Sequence, residues 1–240
     1  MTTTVPMLEL RDVDASYGPF RALFGVNLSV PAGTAVALLG ANGAGKTTVA
    51  RVASGLVAPT SGAVLVDGED LTGQRAFLYA RKGVVHAPEG RSVFATLTVS
   101  ENLELAFRQS RGRAGVRAGL DEAYSLFPRL GERAGQTAGT LSGGEQRMLA
   151  LARALVERPK LVIADELSLG LAPIIVDEVY ECLSTIRDSG TALLIVEQHV
   201  GHALGIADHV VLMSHGEITW EGAAADATDI VAAGILGSAH

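Results

Sequence analysis

The run Val36 to Ala50, VALLGANGAGKTTVA, constrains the fold more than any other stretch of the chain. A short apolar segment leads into glycines packed around one lysine, and paired threonines then open what reads as a helix. Gly40, Gly45, Lys46 and Thr47 satisfy the strict spacing G-x-x-x-x-G-K-[ST] in the setting that spacing requires, a strand before and a helix after. Glycines let the backbone wrap closely around a phosphate and aim several N–H groups inward, while the helix presents its positive end to the same anion. The loop of Gly40, Ala41, Asn42, Gly43, Ala44, Gly45, Lys46, Thr47 and Thr48 is therefore expected to hold the phosphates of a nucleoside triphosphate. Lys46 is expected to reach the β- and γ-phosphates as a point charge, and Thr47 to offer its hydroxyl to the magnesium that bridges them.

Around this clamp the pattern is mixed. Leu8 to Ala15 alternates apolar and polar as a half-buried strand does, Ala22 to Val30 does so more loosely, and Ala63 to Val66 precedes a hairpin-like turn at Asp67-Gly68-Glu69. Ala35 to Leu39 predicts the strand entering the clamp and Thr47 to Leu56 the helix leaving it. An antiparallel flap of strands around part of a parallel core is the expected outcome. Tyr17, in the turn Ser16-Tyr17-Gly18-Pro19, can stack on a purine or cap the edge of the core, and the local sequence supports both.

From about Glu89 to Pro159 the pattern becomes mainly helical. Thr98 followed by Glu101 has capping-box spacing and starts a helix. Gly112 to Gly119, reading GRAGVRAG, predicts a surface linker, with Arg111, Arg113 and Arg117 read as solvated or, as the alternative, as an anion site, before helical periodicity returns over Leu120 to Leu130. Leu141 to Glu145 reads LSGGE ahead of a well-formed helical run. Ser142, Gly143, Gly144 and Glu145 thus make a second glycine-rich helix start able to hold an oxyanion. Two such helix ends in one chain raise a geometric question, whether both can reach one nucleotide.

Lys160 to Glu166, KLVIADE, is an apolar strand that delivers two adjacent carboxylates at its carboxyl end, where open α/β sheets place their ligand chemistry. Asp165 is expected to hold magnesium, directly or through water, and Glu166 to orient and deprotonate an attacking water. Thr191 to Glu197 predicts the next buried parallel strand, ending at Gln198 and His199. Gln198 can donate a hydrogen bond without exchanging a proton, whereas His199 can do either, so the contact to a γ-phosphate stays open between them. The stretch Gly222 to His240 is alanine-rich and carries no functional signal.

Composition removes several alternatives. The formal net charge of -7 argues against a broad nucleic-acid footprint, and no nucleic-acid partner is expected. A single cysteine, Cys182, excludes an internal disulfide and a multi-cysteine metal site. MTTTVPMLEL lacks a basic segment followed by a long apolar core, and no run of 18 apolar residues occurs, so any membrane association must go through a protein partner or a surface patch.

The motifs together carry a resemblance. With GANGAGKTT as Walker A, LSGGEQ as signature, LVIADE as Walker B and SLGL as D-loop, in that order, the chain resembles an ABC transporter ATP-binding subunit over nearly its whole length. VHAPEGRSVFATLTVSENL, ADELSLGLAP and LLIVEQH resemble more narrowly the LivF-type ATPase of branched-chain amino acid importers. The resemblance implies an α/β P-loop NTPase fold, a RecA-like core with an antiparallel β-subdomain and an inserted α-helical subdomain. It implies one domain over residues 1–240, with 1–88 and 160–240 forming core and β-subdomain and 89–159 the helical subdomain.

It also implies ATP and Mg2+ as ligands and two cassettes packed head to tail as a homo- or heterodimer, so that the clamp of one and Ser142 to Glu145 of the other enclose each ATP. Tyr17 matches the aromatic that stacks on adenine. Glu89 falls where most members carry a glutamine contacting magnesium or water, and a carboxylate there can still coordinate the metal while adding negative charge. Gln198 aligns with the switch histidine, and His199 lies one place beyond. Leu167 replaces the proline common after the catalytic glutamate, which bears on loop rigidity. The narrower resemblance implies two transmembrane permeases, a solute-binding protein and a position on the cytoplasmic face of the membrane. Rival readings are an importer of urea, amides or other amino acids, a soluble ABC ATPase of DNA repair or ribosomes, and a non-hydrolysing nucleotide-gated module. The last would be favoured by loss of Lys46 or Glu166, and both are present.

Overall fold

The computed structural model describes residues 5–87, 93–155, 158–198 and 200–227, with the side chains of all of these but 109–111, 154 and 155. Glu89 and His199 lie outside the described residues, as does the chain from 228 onward.

Two sheets form the strand-rich part. The strands β1 (Leu8–Tyr17), β2 (Phe20–Val30), β4 (Ser61–Val66) and β5 (Glu69–Asp70) pair in the order β2-β1-β4-β5, with antiparallel neighbours throughout. The larger sheet has the order β10-β9-β3-β8-β7-β6, using β3 (Ala35–Leu39), β6 (Val84–Ala87), β7 (Leu161–Asp165), β8 (Ala192–Glu197), β9 (His209–Ser214) and β10 (Glu217–Ala223). Its neighbours run parallel from β9 to β6, and β10 closes one edge antiparallel to β9. β3, β7 and β8 are buried at every position. Strands covered on both faces lose the alternation of half-exposed ones and read as continuous apolar runs, which is how the sequence presents them.

Each face of this sheet carries its own core. Along β3, Val36 and Leu38 face the cluster shared with α1 (Lys46–Ala53) and the smaller sheet, while Ala35, Ala37 and Leu39 face the cluster that continues into the helices. Each fully buried leucine of this kind contributes roughly 1.5–3 kcal/mol. α2 (Ala76–Arg81) packs against the first core through Tyr79, whose hydroxyl donates to Leu71 O at 2.8 Å.

Between β6 and β7 the described residues include the helices α3 (Val99–Leu126), α4 (Pro128–Glu132) and α5 (Gly143–Leu155). Thr98 caps α3 with the expected reciprocal bonds to Glu101. The predicted linker at Gly112 to Gly119 is a correction, because α3 runs through it with one break at Gly112, where φ is 68° and ψ 176°. Gly119 is there for packing: a Cβ on it would lie 2.8 Å from the ring of fully buried Phe107 in the preceding half of α3. The two halves therefore meet at a contact only glycine permits, at a position where glycine costs a helix roughly 1 kcal/mol relative to alanine. α6 (Pro173–Asp188) and α7 (Val200–Ile206) complete the layer on this face. Among the described residues no helix is long and apolar enough to cross a membrane.

Candidate active site

The clamp is shaped by what lies behind it. A Cβ at Gly40 would stand 2.3 Å from the Met213 carbonyl oxygen of β9, so the chain leaves β3 in direct contact with its neighbour. Gly45 has φ 105°, and a Cβ there would meet Met213 Cε at 2.8 Å and Ala22 O at 3.1 Å. Gly216 N donates to Ala44 O at 2.8 Å and ties the loop to the turn after β9. Lys46, the first residue of α1, is buried; its Nζ donates to Ala41 O at 3.1 Å and stands 3.4 Å from Glu166 Oε1. The leading N–H groups of any helix have no partner within it. Those of α1 open onto a cavity of about 500 Å³ lined by Gly43, Gly45, Lys46, Thr47, Thr48 and Glu166, among others.

The register between β7 and β8 places Asp165 opposite Val196, and Glu166 N donates to Val196 O at 2.9 Å. Glu166 thus sits just beyond the strand, at φ 49°. A left-handed conformation costs a residue with a side chain about 1–2 kcal/mol, and it turns this carboxylate toward Lys46. Asp165 is almost fully buried, and its Oδ1 accepts from Thr47 Oγ1 at 3.4 Å. A hydroxyl and a carboxylate are hard oxygen donors, the kind magnesium takes while keeping water and phosphate oxygens on its other positions. The donor set therefore fits Mg2+, with Thr47 and Asp165 as the residues to hold it. On the far side of Asp165, His86 Nε2 lies 3.6 Å from Oδ2, while His86 Nδ1 is 3.1 Å from Ser54 Oγ.

A family model described as ABC transporter matches residues 23–168, more than half of the chain. The chain belongs to the ABC transporter family. Members hydrolyse ATP to power transport, and this cassette is accordingly a P-loop ATPase. It is 43% identical over 213 residues to the high-affinity branched-chain amino acid transport ATP-binding protein BraG of Pseudomonas aeruginosa, covering 88% of this chain and 91% of that one. It is 33% identical over 219 residues to the probable branched-chain amino acid transport ATP-binding protein LivF of Archaeoglobus fulgidus, covering 91% and 92%. It is also 32% identical over 220 residues to the lipopolysaccharide export system ATP-binding protein LptB of Escherichia coli strain K12, covering 90% of each. Among solved structures, the ATP-binding subunit of an ABC transporter superposes with TM-score 0.82 at 27% identity, covering 97% of this chain and 95% of the other. The ADP conformation of another such cassette gives 0.84 over 97% of each chain at 24% identity, a likeness of fold. The RecA-like core, the antiparallel β-subdomain and the helical insertion expected from sequence are all present.

Other expected site residues stand apart from the clamp. Ser142 and Glu145 cap α5 reciprocally, Ser142 N donating to Glu145 Oε2 at 2.9 Å and Glu145 N to Ser142 Oγ at 3.3 Å. Glu145 Oε1 also pairs with Arg133 Nε at 2.7 Å. Burial pushes the Glu145 carboxyl up, but the Ser142 amide and hydroxyl and the Arg133 guanidinium outweigh it and leave its pKa lowered. These contacts lie inside the helical insertion, and the cavity over the clamp has none of residues 142–145 in its wall. Gly144 is required within the chain, since a Cβ on it would lie 2.4 Å from Ile175 Cγ2 of α6, whereas at Gly143 a Cβ would meet nothing within 4 Å. Tyr17 ends β1 at the hairpin tip, 41% exposed; its hydroxyl accepts from Arg51 Nη1 of α1 at 3.4 Å, and it too is outside the cavity wall. Gln198 is exposed just after β8.

Two residues of this neighbourhood were not legible beforehand. His86 lies three positions before Glu89 in sequence with no motif to mark it, and Glu197 reads as the last residue of an apolar strand. Glu197 is nonetheless buried, accepting from Ser168 N at 3.0 Å and Ser168 Oγ at 2.8 Å. A carboxylate ending an otherwise apolar strand was the available signal.

Proposed function

We propose that this cassette is the ATPase subunit of an importer of branched-chain, hydrophobic amino acids. It pairs with a second cassette, identical or not, and drives two transmembrane permeases fed by a solute-binding protein from the cytoplasmic face of the membrane. The 43% identity with BraG along most of both chains carries this reading.

In it, Tyr17 stacks on adenine while Gly40 to Thr48 and Lys46 hold the phosphates. Thr47 and Asp165 hold magnesium, with Glu89 as a further oxygen donor. Bound magnesium neutralises charge on the phosphate oxygens. Glu166 accepts the proton of the attacking water, and Gln198 or His199 contacts the γ-phosphate. Ser142, Gly143, Gly144 and Glu145 serve the partner's nucleotide. The open space at Gly143 supports that role, since among the described residues nothing lies within 4 Å of a Cβ built there. Residues 89–159 form the helical subdomain that meets the permease.

The 32% identity with LptB favours a second reading, an ATPase serving lipid export. Uptake of radiolabelled leucine, isoleucine and valine in the native host, with and without this gene and with a Glu166→Gln copy, tests the choice. Uptake that falls in both altered strains is the expected result. Unchanged uptake, with envelope lipid defects in its place, supports export.

A further inference from the structure

Glu197 is 2% exposed, and both its oxygens are engaged. Oε1 accepts from the Ser168 amide at 3.0 Å; Oε2 accepts from the Ser168 hydroxyl at 2.8 Å and from the Gln198 amide at 3.3 Å. Burial, followed by the neighbouring Glu197 charge, raises the pKa of the Tyr180 phenol of α6. A buried carboxylate is tolerated where several donors converge on it.

Ser168 lies two residues beyond Glu166, in a segment gripped from three sides. Ahead of it, Glu166 N is held by Val196 O at 2.9 Å, and the left-handed backbone at Glu166 has to be maintained by its surroundings. Between the two, Leu167 O accepts a hydrogen bond from Arg147 of α5, directly after the signature residues. Behind it stands Glu197, twenty-nine positions along the chain from Ser168 and adjacent to Gln198.

We infer that Glu197 is a positioning residue for hydrolysis, clamping Ser168 so that the Glu166 loop and the Gln198 strand end move as one body. The inference rests on the reading of Glu166 as the group that activates water. Its consequence is that a contact made at Gln198 acts directly on the loop carrying Glu166. The clamp requires a carboxylate specifically. In Glu197→Gln, either orientation of the new amide sets its NH2 group against a backbone N–H, that of Ser168 or that of Gln198, so an isosteric change opens the clamp.

The test uses the full chain, with nucleotide affinity measured by equilibrium titration and steady-state ATP hydrolysis measured separately. Because displacement of a catalytic group by about 1 Å can cost roughly a hundredfold in rate, Glu197→Gln is expected to lower turnover roughly 10- to 100-fold while ATP affinity stays near wild type and the melting temperature falls by only a few degrees, the scale of an unmade buried hydrogen bond. Ser168→Ala is expected to lose less, Ser168→Thr to retain wild-type turnover, and the double variant Glu197→Gln/Ser168→Ala to be no worse than Glu197→Gln alone. Wild-type turnover in Glu197→Gln overturns the clamp. So do additive losses in the double variant, or a fall in turnover matched by equal losses of ATP affinity and melting temperature. Glu166→Gln, run alongside, separates the two ideas. Wild-type turnover there removes the water-activating role and the clamp's purpose with it, whereas an inactive Glu166→Gln beside a fully active Glu197→Gln overturns the clamp alone.

Discussion

Lys46 Nζ stands 3.4 Å from Glu166 Oε1, with 3% of the lysine side chain and 12% of the glutamate side chain exposed. The residue proposed to bind phosphate and the residue proposed to activate water are therefore already neighbours, joined across the mouth of the clamp. A γ-phosphate brought to Lys46 arrives within reach of Glu166 by the same geometry. Replacing Glu166 by glutamine keeps the size and a hydrogen-bonding oxygen for Lys46 but removes the base. Loss of a general base costs about 10²- to 10⁴-fold. The expected outcome is ATP binding near wild type, turnover reduced on that scale, and an ATP-dependent dimer that accumulates on size-exclusion chromatography. Unchanged steady-state hydrolysis would remove Glu166 from its role.

Tyr17 is exposed at the tip of the β1–β2 hairpin and touches α1 through Arg51. A ring in that position has surface to offer a base. Tyr17→Ala is expected to weaken ATP binding by roughly 1–3 kcal/mol, the scale of one base stacked on an aromatic ring, while Tyr17→Phe keeps most of the affinity. Nucleotide titration of the two variants checks this, and equal dissociation constants for Tyr17→Ala and wild type would count against stacking.

Gln198 and His199 compete for one role. If position in the family pattern decides it, Gln198→Ala depresses turnover more than His199→Ala, with ATP affinity little changed in either. The reverse ranking, in the same hydrolysis assay, assigns the γ-phosphate contact to His199.

The paired signature glycines are expected to fail differently. A methyl at Gly144 meets Ile175 Cγ2 at 2.4 Å, so Gly144→Ala should lower the melting temperature, overpacking of this kind costing about 1–3 kcal/mol. A methyl at Gly143 meets nothing within 4 Å, so Gly143→Ala should melt with wild type yet lose ATP-dependent dimerisation and hydrolysis. Wild-type hydrolysis in Gly143→Ala would argue that no partner approaches that helix end.

Much of the fold was legible because its signals are local. The bounds of β3 were read correctly from five apolar residues running into a glycine, and the α3 cap from Thr98 and Glu101, since a cap is satisfied within one turn. Gly112 to Gly119 misled for a related reason. Glycine and arginine in a row predict a linker when neighbours in sequence are all that is weighed, but the reason for Gly119 is Phe107, across the break in α3.

For the candidate site the division is sharper. The sequence by itself determined which groups are on offer: backbone amides and a lysine proposed for phosphate, a hydroxyl and an aspartate proposed for magnesium, and a glutamate proposed for water. Each of these follows from residue type and spacing within a single motif. Only the tertiary structure decided which motifs share a pocket. Parallel pairing of β3, β8 and β7 brings Lys46 to Glu166 and Thr47 to Asp165, whereas Ser142 and Glu145 bond to each other, and Glu145 to Arg133, inside the helical insertion. It also decided the partners of Glu197 and His86. Their meaning depends on what strand register places beside a buried polar atom, and register is set by the packing of the whole sheet.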